Sequence, residues 1–499
     1  MTMTMKIPKY VQNTLKTLEK ANFEAYLVGG CVRDLLINNK PKDWDITTNA
    51  RPKEIQKIFP ETVYENKFGT VGIKIKNNND ETIDIVEITT YRIESKYSDK
   101  RRPDSVKFAK TLKEDLERRD FTVNALAMFH VKHRAQSKNT KNQTTDNNYQ
   151  VTDLFNGQKD LKNKLIRAVG DPNERFNEDA LRMMRAIRFA VVLGWKIEPK
   201  TLKAIRNNAK LIKKIANERI HDEFIKILQS ETPEEGILLL RNAKLLQYII
   251  PELELGVGMN QNKHHTYTIF KHLIMSLKHC PSKDYRVRLA ALFHDIAKPQ
   301  TKRGQGIDAT FYNHDIVGAK IAKKIMKRMA FSSQDVEKVT HLIKNHMFYY
   351  NVGDVSDAGI RRLVKKVGKE NMKDLMDLRI SDRLGSGVPK AKPYKLRHLE
   401  YLIDKVSKDP ISVKSLKVSG ETLIKDLKMS PSPKFGAILD CLLAEVIENP
   451  KNNTKTYLKK RAKELDKMDL KDLRKQAKGK IKEKKEQEDK EIKEKHWVK

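Results

Sequence analysis

A chain of 499 residues with 100 lysines and arginines against 65 aspartates and glutamates carries a net charge of +35, far beyond what solubility needs, which points to a polyanionic partner. The length predicts roughly three domains with ample cores. No apolar run approaches the ~18 residues of a membrane-spanning helix, the first ten residues hold no apolar signal core, and the three cysteines, Cys31, Cys280 and Cys441, are far apart; these features predict a cytoplasmic protein without membrane segment or disulfide framework.

Residues 11–20 have the spacing of an amphipathic helix and lead to an apolar run, Ala25 to Val28, short enough for a buried strand. Gly29 and Gly30 follow, and Val32, Leu35 and Leu36 then return at helical spacing. A turn therefore joins strand to helix, and its unpaired N–H groups are open to an anion because no Cβ shields them. Beyond a polar loop, alternation in Asp43-Trp44-Asp45-Ile46 puts both carboxylates on one face of an extended segment. Two acids beside an anion-cradling turn suit hard divalent cations that bridge nucleotide phosphates.

At these residues the chain resembles the nucleotidyltransferase superfamily, and within it the bacterial class II branch that holds CCA-adding tRNA nucleotidyltransferases and poly(A) polymerases. LVGG-x-VRD-L-L followed by Asp-x-Asp is the first motif of that branch, matched by Gly29, Gly30, Arg33, Asp34, Asp43 and Asp45. The resemblance implies an α+β fold: a small mixed β-sheet head with helices, then an all-α remainder. It further implies that Asp43 and Asp45 hold Mg2+ and that Gly29, Gly30 and Arg33 steady the phosphates of ATP and CTP.

Residues 52–59 read as a helix, and 63–65, 70–75 and 82–89 as strands. The superfamily sets a third carboxylate on such a strand; the family's EITTYR match makes Glu87 the candidate, with Asp84 as the alternate. Lys96, Lys100, Arg101 and Arg102 lie in a basic loop, 91–108, similar to the one that full CCA-adding enzymes possess. The match to RRDFTxNAL implies that Arg119, Asp120 and Asn124 contact ribose and triphosphate, where guanidinium forks suit phosphate oxygens. Residues 131–150, polar and aperiodic, predict a surface insertion.

After a connector, residues from Phe176 onward predict a continuous helix on which Asp179 and Arg182, three apart, are neighbours. The family's Glu-Asp-x-x-Arg element implies that this pair reads the incoming base, a carboxylate accepting from an exocyclic amine beside a guanidinium that donates to ring acceptors. Arg185 and Arg188 follow one and two turns on, to hold the pair or reach RNA. The segment from Ala216 to Ile220 matches an element that supports the pocket, here read as structural.

Beyond Glu231 the pattern is helical and rich in histidine. His272, His294-Asp295, His314, His346 and Asp382 occur at intervals that suit successive helices, and imidazoles with carboxylates are ligands for borderline divalent metals. This order resembles the HD phosphohydrolase domain, which implies a divalent metal and attack on cyclic or terminal phosphates of RNA 3′ ends. Residues 411–464 resemble the end of the family's tRNA-binding part, and 467–499, dense in lysine and glutamate, predict a solvated helix or disordered tail.

The expected organisation is a head at 1–150, a neck at 151–250, an HD domain at 251–390, tRNA-binding helices at 391–465 and a charged tail at 466–499. The expected activity is template-independent addition of C, C and A to tRNA. Rival readings are a poly(A) polymerase, an enzyme that adds only A, and a degenerate RNA-binding module ahead of a working phosphohydrolase. Poly(A) polymerases of the branch carry an arginine-rich GRRF-type segment where this chain reads NKFGTVGIKI.

Overall fold

A computed structural model describes residues 7–65, 69–77, 79–94, 106–130, 143–144, 149–261, 266–407, 413–430 and 432–498. Lys96, Lys100, Arg101, Arg102 and nearly all of the 131–150 insertion lie outside them. The chain divides into two compact units, 1–340 and 341–499.

The first unit opens with α1 (Lys9–Lys20), β1 (Ala25–Val28), α2 (Gly30–Leu36), β2 (Trp44–Thr48), α3 (Pro52–Ile58), β3 (Thr62–Glu65), β4 (Thr70–Lys76), β5 (Thr82–Thr90), β6 (Arg92–Glu94), β7 (Val106–Phe108), α4 (Leu112–Glu117), β8 (Leu126–His130), β9 (Gln143–Thr144) and β10 (Tyr149–Asp153). Eight strands form one mixed sheet in the order β3-β4-β5-β2-β1-β8-β10-β9. Its single parallel pairing, β2 with β5, sets Asp45 opposite Glu87. Alternation separates the faces: Ile46, Val71, Ile73, Val86 and Ile88 are buried. Asp84 shares that side and accepts a hydrogen bond from Tyr10 of α1. Burial and the adjacent carboxylate push the Tyr10 phenol up to about 12. Asp84 is thus turned away from Asp45, and Glu87 is turned toward it.

The remainder of this unit is almost wholly helical: α5 (Gly157–Lys162), the short parallel strands β11 (Leu165–Ile166) and β12 (Lys196–Ile197), α6 (Pro172–Glu178), α7 (Leu181–Leu193), α8 (Pro199–Asn208) and α9 (Asn217–Leu228). The expected leucine-rich helix over 231–250 is broken into Pro233–Asn242 and Leu246–Ile249, with Lys244 at a φ of 59° between them.

In the second unit, helices Lys434–Glu448, Lys455–Asp466 and Leu470–Lys495 enclose a core of Leu423, Ile438, Leu442, Leu458, Leu465 and Leu473. The tail is therefore the helical one of the two expected alternatives, a 26-residue helix, largely exposed and docked at its two ends. Leu473 near one end is fully buried, and the other end is tied by Lys495 and His496 donating to Asp404 at 2.6 and 2.9 Å. Leu473 and Ile492 are buried and Leu470 packs on the same core, which docks a helix whose composition is mostly polar.

Candidate functional site

The Gly-Gly turn has the shape its sequence predicts, with the two glycines in different roles. Gly29 takes a φ of +80°, open to glycine alone without strain, whereas Gly30 is already the first residue of α2. A Cβ on Gly29 would stand 3.1 Å from Arg119 Nη1 and 3.6 Å from Asp45 Oδ2. The bare backbone thus lets the turn, the acid and the guanidinium meet. Asp43 lies in a bend just before β2, not within the strand. Burial, with Asp43 as a like-charged neighbour, raises the Asp45 pKa against the pull of Arg119. Oxygen-only donors crowded so that negative charge is disfavoured fit a hard divalent cation.

From this turn a run of hydrogen bonds crosses to α7. Arg33 donates to Asp34 at 2.9 Å and to Asn124 Oδ1 at 2.9 Å. Asn124 donates to Asp120 at 3.1 Å, and Arg185 grips the same carboxylate with Nε at 2.8 Å and Nη2 at 2.7 Å. Beyond it, Arg185 and Arg188 approach the buried Glu223 of α9 at 3.9 and 2.8 Å. Burial would raise the Asp120 pKa, but Arg185 and Asn124 overcome it and hold the carboxyl down at about 2. The ring of Phe189 carries three guanidinium groups, those of Arg188 at 4.1 Å, Arg33 at 5.2 Å and Arg185 at 5.4 Å. One quadrupolar ring therefore steadies like charges from the turn and from α7.

Asp179 and Arg182 depart from the expected arrangement. Asp179 has extended backbone between α6 and α7, so the helix is interrupted where a continuous one was predicted. Its carboxylate caps the N–H of Leu181 and receives both Arg219 Nη groups, at 2.7 and 3.3 Å. Arg182 turns to Glu178 at 2.6 Å and to the carbonyl of Arg118 at 2.8 Å. The two side chains thus have separate partners. Arg118 O is one residue from Arg119, which places the start of α7 beside the Gly-Gly turn.

Three contributors escaped the sequence reading. Asp115 is fully buried, takes Arg118, Arg119 and Thr47 at 2.7, 3.2 and 3.1 Å, and is held at about 2 by those arginines against its burial. Its spacing of three and four from two arginines was a readable signal. Glu223 joins elements distant in sequence, and Phe189 looked like one more residue of an apolar stripe.

A second cluster lies further along the first unit. His272 on the helix Ile269–Lys278, His294 at the end of Tyr285–Phe293, Asp295, and His314 opening His314–Arg328 converge. His272 Nε2 is 3.0 Å from His294 Nε2 and 3.2 Å from Asp295 Oδ2, and His314 Nε2 is 3.3 Å from Asp295 Oδ1. His294 and His314 each set Nδ1 on a carbonyl, of Ala291 at 2.9 Å and Phe311 at 2.6 Å. Donation there turns the Nε2 atoms inward, that of His294 toward His272 and Asp295 and that of His314 toward Asp295. Such a donor set fits a borderline divalent metal. Asp295 stays well below the ordinary carboxylate range, against its burial, through Lys298 and His294. His346 and Asp382 belong to the second unit; His346 sets Nδ1 on Ile343 O at 2.7 Å, and Asp382 meets Arg379 at 3.4 Å. His264 and His265 fall outside the described residues.

The mixed sheet with its acid row, linked to the arginine-bearing α7, and the histidine cluster are two separate candidate sites within the first unit. Residues 25–167 match the Poly A polymerase head domain, 194–255 the probable RNA and SrmB-binding site of polymerase A, and 264–386 the HD domain. It is 48% identical over 246 residues, 49% of this chain and 56% of the relative, to a CCA-adding enzyme of Limosilactobacillus fermentum. With that of Lactobacillus helveticus it shares 50% over 214 residues, 43% of this chain and 48% of the relative. These matches span about half the length of the relatives. In fold it is similar to the Bacillus stearothermophilus CCA-adding enzyme in complex with CTP, with a TM-score of 0.55 at 23% identity over 92% of this chain and 98% of that one.

Proposed function

We propose that the chain adds C, C and A to the 3′ end of tRNA from CTP and ATP, without a nucleic-acid template and with release of pyrophosphate. The observation that supports this reading is the run of contacts from Arg33, beside the Gly-Gly turn, through Asn124 and Asp120 to Arg185 of α7, with Gly29 close to both Asp45 and Arg119. Relatives named CCA-adding enzymes support it.

Asp43, Asp45 and Glu87 would hold Mg2+, which when bound lowers the pKa of an attacking hydroxyl and offsets triphosphate charge. The turn's N–H groups, Arg33 and Arg119 bind the triphosphate. Asn124 and Asp120 keep Arg33 and Arg185 at fixed spacing. Asp179 accepts from the exocyclic amine that C and A share, and Arg182 donates to ring acceptors; separate anchors, Arg219 for one and Glu178 for the other, make the reading surface rigid. In the HD part, 251–390, His272, His294, Asp295 and His314 would hold a divalent metal that supplies hydroxide for phosphoester hydrolysis at RNA 3′ ends. The head at 1–150, neck at 151–250 and helices at 391–465 would share the tRNA, in the cytoplasm.

The test is a tRNA transcript lacking its last three residues, offered CTP alone, ATP alone and both. Two additions with CTP and a stop after three with both are expected. A homopolymer from ATP alone would mark a poly(A) polymerase instead, and growth only on a transcript already ending in CC would mark an A-adding enzyme.

A further inference from the structure

The acid row extends beyond Glu87. Asp45, Glu87, Gly72 and Val63 are successive cross-strand partners over β2, β5, β4 and β3, and residues in register share a face. Along β5 the next residues of that face are Ile85, whose partner is Lys74, and Ile83. The other face is buried; this one leaves Val63 45%, Ile85 46% and Ile83 59% exposed, with Lys74 exposed beside them. Ile85 leans over Gly72, where a Cβ would come within 3.1 Å of its Cγ2. Singly exposed aliphatics need no explanation, but three on one face, running up to a row of carboxylates, form a patch.

We propose that this platform receives the last nucleotides of the RNA acceptor, their bases against Val63, Ile83 and Ile85 and a phosphate toward Lys74, so that the terminal 3′-hydroxyl arrives beside Asp45 and Glu87. The inference rests on the function proposed above and adds where the second substrate lies. Flat bases shed water against aliphatic side chains, and Ile85 is one two-residue step, ~7 Å, from Glu87, within the span of one nucleotide. Charge favours RNA over a second protein copy as occupant: Lys74 would be desolvated by an apolar protein face but paired by a phosphate.

The experiment uses the full chain and a tRNA transcript lacking its last three residues. Because Ile83 and Ile85 are exposed, Ile85→Ser and Ile83→Ser should keep the wild-type melting temperature. Ile85→Ser should raise the KM for the transcript roughly tenfold, the loss of one base contact, leave the KM for CTP unchanged, and be rescued by Ile85→Leu. An active wild type with an unchanged transcript KM in Ile85→Ser overturns the platform, as does a change confined to CTP. Loss of wild-type self-association on sedimentation, with the transcript KM unmoved, would assign the patch to a protein contact and overturn it too. A wild type that adds no nucleotide would instead defeat the function itself.

Discussion

The two acid centres of the first unit stand under opposite electrostatic regimes. Asp45 is partly buried beside another carboxylate and its pKa is raised; Asp295 is more deeply buried yet sits far below the ordinary range, because Lys298 at 2.6 Å and the imidazoles supply positive charge. The head's acids lack such compensation within the protein, whereas the histidine cluster carries part of it in Lys298 and turns imidazole nitrogens toward the carboxylate. Oxygen donors in the first place suit a hard divalent cation, and nitrogen donors in the second a borderline one.

Breaking one centre should spare the other. Asp43→Ala is expected to lower CTP incorporation by ~100-fold or more while filter binding of tRNA and metal-dependent hydrolysis of a 2′,3′-cyclic nucleotide persist; incorporation near wild type would refute the metal assignment. His294→Ala should do the reverse, abolishing that hydrolysis and leaving CTP incorporation intact. Competition between CTP and UTP in Arg182→Ala should show discrimination reduced by ~10- to 100-fold, more than the rise in CTP KM. Phe189→Leu, which keeps an apolar side chain but removes the ring from three guanidiniums, should raise the CTP KM severalfold, whereas Phe189→Tyr should not.

The smallest effect is on stability in acid. Asp115 and Asp120 have folded pKa values of about 2, below those of the unfolded chain near 4, so their contribution is present above pH 4 and lost as pH falls toward 2. Asp115→Asn should cost about 2 kcal/mol at pH 7 and flatten the decline of the urea midpoint between pH 4 and 2. An unchanged acid slope would show that Asp115 is not held low.

Much of the head was legible because its chemistry lies in short stretches. Gly29-Gly30 between an apolar run and a helical pattern, and Asp43 with Asp45, follow from local spacing alone. Asp179 and Arg182 show the limit: their separation of three predicts a shared helical face, yet capping of Leu181 by Asp179 and the pull of Arg219 from α9 open the backbone between them. The lysine-rich tail shows the same limit from the other side. Its composition predicts a solvated helix, and nothing local reveals that Leu473 finds a pocket against Cys441 and Leu442.

Sequence by itself determined the turn and the spacing of the acids and set the expectation of a polyanionic partner, since each depends on residues close in the chain or on composition. Only the tertiary structure set Glu87 opposite Asp45 and turned Asp84 away, joined Arg33 to Arg185 through Asn124 and Asp120, and gathered His272, His294, Lys298 and His314 around Asp295. Those outcomes depend on strand register and helix packing, which act between residues tens of positions apart and leave no mark in any one stretch of sequence.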